Sequence, residues 1–168
     1  MAQKCILFKI KMVRVYHFQI QLLMDQVDYI FNQLEANKQN ISSRYILMTY
    51  FNIICSYGEK EFLDRCIRSS VYGLIIPDLP YELAQKFKNK FSTHQVEIIS
   101  LIAMTTNEER MKTIAQQAEG FIYTITMNAT TGKNEQFHPE LKRKVKLIKE
   151  ISKVPVVAGF GIKNYEPC

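Results

Sequence analysis

Cysteine and histidine are scarce in this chain, and their placement excludes more than their number does. The four cysteines, Cys5, Cys55, Cys66 and Cys168, show neither the short paired spacing of a zinc site nor the density of a disulfide scaffold. They read as ordinary thiols of a reducing compartment, so a cytoplasmic protein is expected. The three histidines, His17, His94 and His138, lie far apart and show no metal-ligand spacing. Neither a Walker loop nor a G-x-G-x-x-G fingerprint occurs. Long apolar runs are missing as well. In the opening stretch "MAQKCILFKIKMVRVYHFQIQLLM", Lys4, Lys9, Lys11, Arg14, His17 and three glutamines interrupt every apolar run before it reaches export-signal or membrane-spanning length. No export or membrane segment is expected.

What is present is a chain of 168 residues, 47% hydrophobic, long enough to bury a sizeable core as one domain. Its net charge of +6 would attract phosphate esters or nucleic acid, and is equally common on soluble domains that bind neither. From residue 45 onward, apolar β-rich runs alternate with helical patterns. The runs are "YILMTY" (45–50), "YGLII" (72–76), "EIISLIA" (97–103), "FIYTIT" (121–126) and "VPVVAGF" (154–160). Between them, apolar residues fall at helical spacing: Phe62, Leu63, Cys66 and Ile67; Leu83, Ala84, Phe87 and Phe91; Met111, Ile114, Ala115 and Ala118; Leu141, Val145, Ile148 and Ile151. Thr106 with Glu109 fits a capping box, and Pro139 fits the first turn of the last helix.

Strands apolar on both faces and separated by helices predict a parallel sheet covered by helices, an α/β fold. Strand starts near 45, 72, 97, 121 and 155 are 27, 25, 24 and 34 residues apart, one strand and one helix per unit. Eight such units close a barrel of roughly 250 residues. Five could also make an open doubly wound sheet. Upstream, Val27, Ile30, Phe31 and Leu34 predict a helix at about 26–37. Residues 6–24 alternate like a strand until Arg14 breaks the pattern, so residues 1–25 are left unassigned beside a domain covering 26–168.

In parallel α/β folds the loops after the strands open onto one face and carry the chemistry. Here those loops hold Tyr50-Phe51-Asn52, Pro77-Asp78-Leu79-Pro80, Met104-Thr105-Thr106, "MNATTGKN" following Tyr123, and Gly159-Phe160-Gly161. Each has a plain structural reading. Gly-Phe-Gly after a strand is a tight turn more often than a phosphate cradle. Asp78 would cap the helix after Pro80, and Tyr123 would be a core residue whose hydroxyl reaches a partner. Taken together they point to a ligand site, with phosphate as one candidate. The basic run "LKRKVKLIKE" (141–150) places Leu141, Val145 and Ile148 on one stripe, which leaves its cations on a solvated outer face. Nucleic-acid binding is therefore not expected.

The segments "LMTYFNIICSYG", "GLIIPDLPYE", "ISLIAMTTNEER", "GFIYTITMNATTG" and "PVVAGFGI", in that order and spacing, resemble the α subunit of tryptophan synthase, from about Val27 to Pro167. The resemblance implies a (β/α)8 TIM barrel, of which about five strand-helix units are present, in a chain incomplete at both ends. It implies a lyase that cleaves indole-3-glycerol phosphate by a retro-aldol reaction to indole and glyceraldehyde 3-phosphate. Indole then passes to a β subunit that carries pyridoxal phosphate, while this chain holds no cofactor and no metal.

By the same resemblance, Tyr123, Tyr50 and Phe160 border the indole pocket. Thr131, Gly132 and Gly161 contact the substrate phosphate, and Asn52, Asp78 and Pro80 face the β subunit. The family motif resembling E-I-G-x-P-F-S-D-P, which supplies two catalytic carboxylates, has no match here, and Ala129-Thr130 replaces the usual Gly-Val of the mobile loop. An impaired enzyme is expected. The alternative is a non-catalytic remnant that at most binds the β subunit or a phosphate ester. A third class, a flavodoxin-like binding module, is disfavoured by the order of the motifs.

Overall fold

The apolar run at 45–48 is buried on both faces, which only a sheet covered on both sides can satisfy. Strand β2 (Tyr45–Met48) turns Tyr45 and Leu47 into a core shared with the helices, while Ile46 between them, also buried, faces the other side of the pleat. The computed structural model describes residues 11–14, 20–40, 43–125 and 140–159. These fall into two compact units that divide between Ile98 and Ile99.

The first unit runs β1 (Lys11–Arg14), α1 (Ile20–Ala36), a single 3-10 turn, β2, α2 (Phe51–Tyr57), α3 (Glu59–Arg68), β3 (Val71–Ile75), α4 (Tyr81–Lys90) and β4 (Glu97–Ile98). Its sheet has the order β1-β2-β3-β4, and every pair is parallel. The alternation left unassigned near the N-terminus thus contains a strand, with Lys11 opposite Tyr45 and Arg14 opposite Met48. Helix α1 starts at Ile20, ahead of the expected residue 26. Helix α2 was not expected. It ends because Gly58 takes φ +96, a left-handed conformation that suits glycine, and α3 starts on the next residue.

Aromatic edges fill the core of this unit. Phe31 of α1 meets Phe62 of α3 at 5.2 Å between ring centroids, and Tyr57 at the end of α2 meets both. Over them lies a polar seam between α1 and α3. Arg65 sits above the Phe31 ring, donates to Asn32 at 2.8 Å and pairs with Asp28 and Glu35, while the buried Ser69 hydroxyl donates to Glu35.

The second unit runs β5 (Ser100–Ala103), α5 (Glu108–Gln117), β6 (Ile122–Ile125), α6 (Leu141–Ile151) and β7 (Val156–Gly159). Its sheet, β5-β6-β7, is parallel throughout. The single strand expected at 97–103 is two strands interrupted at Ile99, β4 pairing with β3 and β5 with β6. The cap of α5 also differs from the expected Thr106–Glu109 box. Asn107 is the N-cap, and its side chain accepts the Arg110 N–H at 2.8 Å. Pro139 lies outside the described residues. In each unit the strands pair in chain order, the winding of a barrel rather than the reversal of a doubly wound sheet.

Candidate functional site

In the first unit, β2 and β3 leave the sheet side by side, tied by the Thr49 N–H donating to the Ile75 carbonyl at 3.1 Å. The chain then enters α2 through Tyr50, an extended N-cap residue whose own side chain makes no cap bond. A helix start in this position needs an acceptor. Asp78 supplies it from the neighbouring loop: the Phe51 N–H donates to both carboxylate oxygens, at 2.9 and 3.1 Å. The loop itself is closed by the Leu79 N–H on the Ile76 carbonyl at 3.2 Å.

Asp78 therefore does cap a helix, but not the one after Pro80. Helix α4 begins at Tyr81, behind an N-cap Pro80 with φ −57 and no side-chain cap bond. The edge contact of Phe51 with Phe87 at 5.6 Å anchors α2 to α4 behind the loops. Tyr50, Asn52, Asp78 and Pro80 are thus brought together on one exposed rim. Tyr50 is 47% exposed there.

In the second unit, Tyr123 sits in mid-strand on β6, buried, opposite Leu101 of β5 and Val157 of β7. The next residue, Thr124, turns to the other face and donates its hydroxyl to the Val157 carbonyl at 3.1 Å. Gly159 closes β7 opposite Ile125. Thr131, Gly132, Phe160 and Gly161 lie outside the described residues.

Two features escaped the reading of the sequence. The basic run does not put all its cations outside: Lys144 is buried, on the stripe of Leu141 and Ile148, and its Nζ donates to the carbonyls of Met104 and Thr106. The signal was available, since positions 141, 144, 145 and 148 share one helical face. On the outer side of the same helix, Arg143 bridges Glu108 and Glu140 and holds both carboxyls below their usual range.

The second feature is an open cavity of about 1200 Å³ in the helix layer of the first unit, lined by Cys55, Glu59, Asp64, Lys90 and Phe91 among others. Four of its charged residues pair with each other, Lys90 with Glu59 and Lys60 with Asp64, and Asp64 also meets the His94 ring at 3.1 Å. Burial and then Glu59 push the Cys55 thiol up, and burial alone raises Cys66. Neither is poised as a thiolate nucleophile. Among the described residues no group of three or more His, Cys, Asp or Glu could hold a metal ion, and no helix is long and apolar enough to cross a membrane.

A family model for the tryptophan synthase alpha chain matches residues 24–168. Tryptophan synthase alpha chains of Staphylococcus epidermidis and Staphylococcus aureus are 62% and 64% identical over 140 and 138 residues, 83% and 82% of this chain. The chain spans 58% and 57% of the length of those two relatives. Among solved structures, the tryptophan synthase subunit alpha of Campylobacter jejuni superimposes with a TM-score of 0.75 at 27% identity, covering 92% of this chain and 67% of that one. The tryptophan synthase α2β2 complex of the hyperthermophile Pyrococcus furiosus gives 0.71 at 27% identity, over 88% of this chain and 56% of that one. With in-order parallel strands and this likeness, the fold class is a partial (β/α)8 barrel. The chain belongs to the tryptophan synthase alpha chain family.

Proposed function

We propose that this chain serves the tryptophan synthase α reaction of tryptophan biosynthesis, the retro-aldol cleavage of indole-3-glycerol phosphate in the cytoplasm. In that reaction the bond between indole C3 and the glycerol carbon breaks. A proton is delivered to C3 and the glycerol hydroxyl gives up its own to become the aldehyde. The observation that best supports the reading is the joined exit of β2 and β3, where Asp78 fixes the start of α2 and presents Tyr50, Asn52 and Pro80 on one rim. In this reading Tyr123, Tyr50 and Phe160 border the indole, and backbone groups of Thr131, Gly132 and Gly161 take the phosphate. Asn52, Asp78 and Pro80 face a β subunit, which carries pyridoxal phosphate; this chain carries no cofactor.

Moving one proton onto C3 and another off the glycerol hydroxyl calls for two positioned carboxylates, and the motif that supplies them in the family has no match in this sequence. In this reading the chain is an impaired catalyst that keeps the binding half of the task. The same observation favours a second reading, a remnant that binds a phosphate ester or the β subunit without turnover. Titration with glycerol 3-phosphate tests the binding half. Chemical-shift changes at Gly132 and Gly161, weakened by Gly161→Asp through charge repulsion, are expected. Changes confined to residues 141–150 would reduce the interaction to nonspecific attraction by the basic helix.

A further inference from the structure

Among the described residues, the buried lysine is Lys144, at 7% exposure, on the face of α6 that also carries the fully buried Ile148. A leucine or methionine would fill such a position without taking a charge out of water. The ammonium has three donors, and three acceptors surround it: the carbonyl of Met104, the carbonyl of Thr106 at 3.3 Å and Glu140 Oε2 at 3.4 Å. Two of the three belong to one short stretch, the chain leaving β5. That stretch turns at once, with the Thr106 N–H donating to the Ala103 carbonyl at 3.0 Å, before Asn107 caps α5. The strand it leaves runs beside the strand of Tyr123, with Leu101 opposite Tyr123 and Ala103 opposite Ile125.

We propose that Lys144 is a positioning residue for the indole side of the site: by gripping the Met104 and Thr106 carbonyls from α6, it fixes how the chain leaves β5, two residues past the point where that strand lies opposite Tyr123. The inference rests on the proposed function and adds a residue to it. Among the described residues the β5–β6 ladder ends at Ala103 and Ile125, and the Met104 and Thr106 carbonyls are held by the lysine, so without the cation they would turn toward water and carry the loop with them. The neighbouring carboxylate of Glu140 orients the lysine and is itself shared with Arg143.

The test uses the full 168-residue chain with indole as the probe, following backbone amide shifts at Ala103 and Tyr123 and hydrogen exchange at Thr106. Lys144→Met keeps the apolar stem. It should weaken indole binding about tenfold and speed Thr106 exchange by a similar factor, the loss expected for charge-assisted hydrogen bonds, while Met111 and Ile122 keep their protection. Lys144→Arg keeps the charge but replaces a compact ammonium with a larger planar fork, so both its indole binding and its Thr106 exchange should fall between those of the parent and Lys144→Met. Unchanged Thr106 exchange in Lys144→Met, with the parent still binding indole, overturns the proposal alone. Loss of protection throughout α5 and β6 overturns it too, because the lysine would then merely hold the unit together. Failure of the parent chain to bind indole overturns the functional reading beneath it.

Discussion

Asp78→Ala removes both acceptors that hold the first N–H of α2, at 2.9 and 3.1 Å. Losing a side-chain cap costs about 0.5–2 kcal/mol. Asp78 is exposed and its charge is screened, so the middle of that range, about 1 kcal/mol, applies. Tyr50 makes no cap bond of its own and offers no replacement. The helix has only seven residues and is held mainly by Ile53 and Ile54, both fully buried, so the loss falls on its first turn. About 1 kcal/mol is roughly a fivefold shift in a local opening equilibrium. Amide exchange at Phe51 and Asn52 should therefore quicken about fivefold, while Ile75 and Phe62 stay as they were. Asp78→Asn keeps one acceptor and loses the favourable charge at a helix start, about half a kcal/mol, so its exchange should fall between the other two. Exchange at Phe51 unchanged by Asp78→Ala would refute the cap. An Asn variant as fast as the Ala variant would show that charge, not the hydrogen bond, holds the helix start.

The Tyr57 hydroxyl donates to Asp28, and burial first, then that bond and the Asp28 charge, push its pKa up to about 12. A phenolate titration should find Tyr57 ionising that late. A raised pKa means that stability from this contact is complete below the ordinary tyrosine value of about 10 and is lost as pH climbs through the folded value. Tyr57→Phe should abolish the late ionisation; its survival would assign it to another tyrosine. Glu108 and Glu140 have depressed pKa values because Arg143 donates to both. Their pairing contributes above the ordinary glutamate pKa and is lost as pH falls through the lowered values. Carboxyl carbon shifts should show both titrating late on acidification, and Arg143→Met should bring both back up; no change would mean that the pairs do not persist in solution.

Periodicity made most of the sheet legible. The runs at 45, 121 and 154 contain β2, β6 and β7, and the run at 72 overlaps all of β3 but its first residue, Val71, because strands buried on both faces must be continuously apolar. It failed where a local conformation outweighed the pattern. Ile99 interrupts an apolar run that has no sequence break, and Gly58 divides what reads as a loop and one helix into α2 and α3. Ile67 and Leu83, expected to pack, are 44% and 48% exposed, because each sits at the edge of its helix stripe.

At the rim, the residues were readable but their joining was not. Nothing in "YFN" or "PDLP" says that the aspartate of one serves the first N–H of the other, 27 positions away, since a cap is ordinarily sought within its own helix. Lys144 was hidden by its type: a lysine in a basic run reads as solvated unless its place on the helical stripe is weighed above its charge.

The most direct test of the account is indole release by the 168-residue chain with an excess of β subunit, measured beside a full-length family member. Without the motif that supplies the two carboxylates, turnover should fall at least ~10²-fold below that control, since each positioned acid or base contributes ~10²–10⁴-fold. Tyr123 does not replace them, because a phenol with pKa ~10 is almost wholly protonated near neutrality. Asp78 is committed to the α2 N–H. Turnover within about tenfold of the control, abolished by Tyr123→Phe or Asp78→Asn, would contradict the account and show a catalytic site rebuilt from the residues that this chain retains.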